Sequence, residues 1–184
     1  MNISWVFADT VVLDPTVDSK VLKEIGPLWG SWKTWRQCQT DNVICHNLAK
    51  AEELIKRNFN THCNFYIPNM NWVTLHRPEN VRLYEGSFVD EFQPEEIIAM
   101  HLASSQSDIV LLVGFDWQDQ EKNPNKLLEH RFQAYRSLIT NAIQSTPEVQ
   151  WVLVDHPGKI MKSMSNLPNL VTDTLENCLG LKDL

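Results

Sequence analysis

The chain has 184 residues, 43% of them apolar and 21% charged, which fits a single globular domain over 1–184 and excludes a disordered or low-complexity protein. Sixteen Lys and Arg against 23 Asp and Glu give a formal charge of -7 and a pI near 5.3, which excludes bulk nucleic-acid binding through phosphate neutralisation. No stretch approaches the roughly 18 to 20 apolar residues of a membrane span, and "MNISWVFADTVVLD" lacks a basic leader start, so a cytoplasmic protein without a membrane partner is expected.

In chain order, "SWVFADTVVLD" reads as one strand or as two short ones broken at Asp9 and Thr10. "DPTVDSKVLKEI" gives turn chemistry and then a helix. Gly26-Pro27 interrupts it, and a second, kinked helix is expected to start there and to carry "LWGSWKTWRQ". "TDNVICHN" predicts a strand and "LAKAEELIKRNF" a helix whose N-cap is Asn47. "NFYIPN" predicts a strand ended by Pro68, followed by a long loop over 69–80. "VRLYEGSF" predicts another strand. In "QPEEIIAMHLASSQ" the proline and two glutamates suit the positive end of a helix dipole. The strand "DIVLLVG", the helix "NKLLEHRFQAYRSLITNAIQ", the strand "VQWVLVDHPGK" and the segment "NLVTDTLENCLGL" complete the chain.

Strands alternating with helices, and unbroken apolar runs at 109–113 and 151–154, predict a sheet covered on both faces. The expected architecture is α/β: a three-layer Rossmann-like sandwich with a mainly parallel sheet of five or six strands. Ligands of such sheets bind beyond the carboxyl ends of the strands, near the point where strand order reverses.

That rule selects residues. Asp116 and His156 are the candidate catalytic groups, the first at the end of the apolar run and the second beside a Pro-Gly turn. Asp9, Asn47, Asn69, Gly114, Trp117 and Asp155 are the candidate ligand-binding residues, with Gly114 allowing close approach and Trp117 offering a ring to a base or sugar. Asp155 and His156, as strand neighbours, point to opposite faces and need partners from elsewhere. Cys38, Cys45, Cys63 and Cys178 lack metal-ligand spacing and predict free thiols and no metal site. Trp29, Trp32 and Trp35, interleaved with Lys33 and Arg36, form a stripe at helical spacing that serves as core or as a nucleotide platform. The dinucleotide, P-loop, nucleophile-elbow and zincin motifs are absent.

"VLLVGFDW" resembles the G-x-D-F strand end of bacterial sialyltransferases and of related Rossmann-like proteins of the pterin-pyrophosphokinase type. The match covers about eight residues. It implies a nucleotide or nucleotide-sugar site lined by Gly114 and Asp116. The glycine-rich turn those families carry after their first strand is replaced here by "ADTVVLD". Two functions are therefore expected. One is a small-ligand domain of transferase or hydrolase kind with no cofactor assigned, in which Asp116 orients the ligand, Asn47 and Asn69 contact phosphate or ribose, and His156 moves a proton. The other is a noncatalytic interaction protein or homo-oligomer of the small phage-encoded kind, using the Trp stripe or the 69–80 loop.

Overall fold

The computed structural model describes residues 1–9, 17–69, 78–84, 94–115, 126–155 and 164–183. In chain order the elements are β1 (Ile3–Phe7), α1 (Ser19–Ile25), β2 (Leu28–Ser31), α2 (Trp32–Cys38), β3 (Asn42–Ile44), α3 (Leu48–Lys56) and β4 (Asn64–Pro68). They continue with β5 (Val81–Tyr84), α4 (Glu95–Ser104), β6 (Ile109–Val113), α5 (Lys126–Gln144), β7 (Gln150–Val154), β8 (Leu170–Asp173) and α6 (Leu175–Leu179).

The strands make one sheet in the order β5-β4-β3-β2-β1-β6-β7-β8, and every pairing is parallel. This is the α/β architecture expected, but with eight strands among the described residues in place of five or six. One extra strand, β8, comes from the last segment. The other, β2, lies inside the stretch read as a kinked helix.

Local chemistry explains β2. Pro27 stands just before the strand, where no N–H is needed, and its carbonyl accepts from Trp5 N–H at 3.0 Å. The Asp41 carboxylate accepts the Leu28 N–H at 3.0 Å. Gly30 then lets the next helix close down, since a Cβ there would stand 3.0 Å from Thr34 Cβ. Ser31 is both the last strand residue and the N-cap of α2, its Oγ accepting from Lys33 and Thr34 N–H at 3.1 and 3.3 Å. The strand runs straight into the helix and delivers Trp32 and Lys33 to the sheet's carboxyl rim.

Side-chain alternation divides the core into two faces. Val6, Trp29, Ile44, Val110, Leu112, Trp151 and Leu153 point toward α4 and α5. Trp5, Phe7, Leu28, Leu111, Val152 and Val154 point the other way, where Leu22 of α1, Cys38 of α2 and Cys178 of α6 cover them. Val43, Phe65, Ile67 and Val81 continue that second face under Ala51 and Leu54 of α3. The Trp stripe is therefore not a helix face. Trp29 is fully buried under α4, while Trp32 and Trp35 are half-buried on the α3 side.

Candidate functional site at the strand-order reversal

Strand order reverses between β1 and β6. From β1 the chain goes on to α1 on one face, and from β6 to α5 on the other, so the position at which doubly wound sheets bind ligands is their shared carboxyl end. Pairing persists to that end, with Phe7 opposite Val113 and the Ala8 N–H donating to Val113 O at 3.0 Å. Asp9 and Gly114 therefore flank one seam. Gly114 turns away with φ 78°, a left-handed conformation that favours glycine.

Side chains from α2, α4, α5 and the ends of β3 and β5 line the rim from Asp9 outward. Lys33, at the start of α2, places Nζ 3.0 Å from Asp9 Oδ2. Its pKa is raised, first by that hydrogen bond. Glu95 and Glu96 open α4, which crosses back over β1, β2 and β3 after β5 and sets both carboxylates against the same rim. Glu95 Oε1 accepts the His46 backbone N–H at 2.8 Å, just after β3. The His46 ring shares a 2.7 Å hydrogen bond between Nδ1 and the Tyr84 hydroxyl at the end of β5. Glu96 Oε1 accepts from the Tyr135 hydroxyl of α5 at 2.7 Å.

Burial governs the electrostatics. It pushes the Glu95 carboxyl up to about 7, with Asp9 and Glu96 adding to the rise and the His46 N–H and Lys33 opposing it. Glu95 thus stands ready to give or take a proton near neutral pH. Burial and the Asp9 charge also raise Glu96, while its Tyr135 hydrogen bond opposes the rise. The Cys45 thiol is pushed up to about 12, chiefly by burial, and donates to Asn47 O at 3.4 Å, so it is no nucleophile at neutral pH.

The other residues chosen from sequence lie along the same rim. Asn47 is exposed and caps α3, its Oδ1 accepting the Lys50 N–H at 2.9 Å. Asn69 follows β4 and donates its backbone N–H to Tyr84 O at 3.1 Å. Asp155 follows β7 and its carboxylate accepts the Leu175 N–H of α6 at 2.9 Å. From β4 to β7 there are five strand spacings, about 24 Å, so one small ligand centred on the seam cannot touch both ends. Asp116, Trp117 and His156 lie outside the described residues, as does most of the 69–80 loop. All four cysteines are buried and free. Among the described residues no group of three or more His, Cys, Asp or Glu is placed to hold a metal ion, and no helix is long and apolar enough to cross a membrane.

Sequence reasoning missed Glu95, Glu96, His46, Tyr84 and Tyr135 as a group. A usable signal was present: the two glutamates precede "IIAMHLA", a helix with almost no polar face, so its first turn had to enter the interior with it.

Fold and site together define a doubly wound, all-parallel α/β protein with a carboxylate-rich rim at its strand-order reversal. No protein family, curated protein or solved structure matches the chain.

Proposed function

We propose that the protein binds a nucleotide or nucleotide-sugar-like small molecule at the rim between the ends of β1 and β6, and acts on it as a transferase or hydrolase with Glu95 as the acid or base. The observation that carries this reading is the convergence of Asp9, Lys33, Glu95 and Glu96 at the position where such sheets bind ligands, with Glu95 titrating near neutrality. Asp9 supplies an acceptor for a sugar or ribose hydroxyl. Asp116 and Trp117, next in the chain after Phe115, and His156, next after Asp155, are the further contributors in this reading.

A thermal-shift screen of nucleosides, nucleotides and nucleotide sugars tests it. At least one compound is expected to raise the melting temperature in a concentration-dependent way. Asp9→Asn should weaken that ligand's binding, and Glu95→Gln should slow its turnover by roughly 100-fold or more. If no compound stabilises the protein, and Asp9→Asn, Glu95→Gln, Asp116→Ala and His156→Ala all match the parent, the reading fails.

A further inference from the structure

Beside the carboxylates, the same rim carries a cationic corner built around Trp32. The Lys50 Nζ lies 4.8 Å from the centre of the Trp32 ring, and the Arg36 guanidinium carbon lies 5.2 Å from it. Lys33 is the next residue in the chain and bridges toward Asp9. Trp32 and Lys33 follow β2 and Lys50 follows β3, so all three occupy the carboxyl edge next to the seam.

The ring already has cations against it, so its task is to hold them rather than to stack on a base. A lysine and an arginine lying on an indole have lost part of their rotamer freedom, and an arriving anion then orders them at smaller cost. Lys50 also meets Glu53 at 2.8 Å, and Arg36 is exposed. Such a partly exposed pair within one helix is weak enough to be exchanged for a doubly charged oxyanion.

We infer that Arg36, Lys50 and Lys33 form a diphosphate subsite, which orients the ligand of the rim with its phosphates toward Trp32 and its hydroxyl-bearing end on Asp9 and Glu95. This rests on the small-ligand reading above and adds the ligand's chemical class, an organic diphosphate, and its direction. Asp9 and Lys50 follow strands two spacings apart, about 10 Å, a separation that a diphosphate with one attached sugar spans. The opposite orientation sets phosphate against three carboxylates.

Calorimetry with inorganic pyrophosphate, uridine and uridine diphosphate glucose separates the possibilities. Pyrophosphate is expected to bind the unaltered protein and to weaken as salt rises. The double variant Arg36→Gln/Lys50→Gln, with its fold checked by circular dichroism, should lose about 10-fold or more in pyrophosphate affinity. Trp32→Leu, which keeps every cation, should lose a smaller factor. Glu95→Gln removes a negative charge nearby and should leave pyrophosphate binding equal or tighter. If pyrophosphate does not bind, or binds the double variant as well as the parent, the diphosphate subsite is wrong. Uridine binding that persists in that case leaves the small-ligand reading standing. Pyrophosphate binding that depends on Arg36 and Lys50, with no response of any sugar-bearing ligand to Asp9→Asn or Glu95→Gln, supports the subsite and sinks the proposed chemistry at the rim.

Discussion

Glu95 and Glu96 are adjacent on one helical turn, yet each is held by a different element, Glu95 by the backbone of His46 just after β3 and Glu96 by the hydroxyl of Tyr135 on α5. The folded chain keeps the Glu95 proton up to about pH 7, whereas the carboxyl's ordinary value is 4.5. Between those values the native state binds more protons than the unfolded chain, so stability falls as pH rises through that window. The cost is fully expressed above about 7 and absent below about 4.5. It is on the order of 2 kcal/mol once the partial solvent access of the carboxylate is discounted. Glu95→Gln, which can still accept the His46 N–H, is expected to be more stable than the parent at pH 8 and equal to it at pH 4.5. Urea melts at the two values check this, and an unchanged difference across the window rules out the assigned protonation.

At the scale of elements, a glycine marks the tightest junction. Gly26 closes α1 and leads into β2, and a Cβ at that position would stand 2.0 Å from the Ile3 carbonyl oxygen. Its φ of 178° is extended backbone, so the demand is for space and not for an unusual conformation. Gly26→Ala is expected to cost about 2 to 4 kcal/mol, because backbone must give way at the sheet's centre. A denaturation midpoint within error of the parent would show that α1 shifts freely. The same junction marks the limit of what the sequence made legible. The apolar runs at 109–113 and 151–154, the helical periods of α3 and α5 and the Pro-Glu-Glu opening of α4 were readable because each is a local pattern. So was the rim, which follows from strand ends alone: Asp9 comes after β1 and Gly114 after β6. "LWGS" was not readable, since its four residues carry no clear alternation and sit between a proline and a tryptophan run that mimics a helix. Nor were the partners of Asp9, because α4 meets β1 only through the crossover from β5 to β6, an event of tertiary topology that no window of sequence contains.

For the whole molecule, the dominant fact is that β1 is central, between β2 and β6. Its pairing with β2 is formed across a short connection, but its pairing with β6 joins Ile3 to Ile109, and the Asn2 N–H reaches the Asp108 carboxylate at a sequence separation of 106. Loop-closure entropy makes the first contact quick and the second slow. Native-state hydrogen exchange should show β1 and β6 amides opening only with global unfolding, while the edge strand β8 exchanges earlier. Protection of β8 equal to that of β1 would overturn this.

During synthesis the same order of strands has a cost of its own. Once β2 to β5 have emerged, β1 still presents a bare row of N–H and C=O groups, and it waits for the ribosome to deliver β6 before that edge is covered. A nascent chain paused there has an aggregation-prone middle, not merely an unfinished end. The seam holding Asp9 and Gly114 thus joins the two halves of the sheet, and a chain acquires its candidate site at the moment β1 stops being a bare edge.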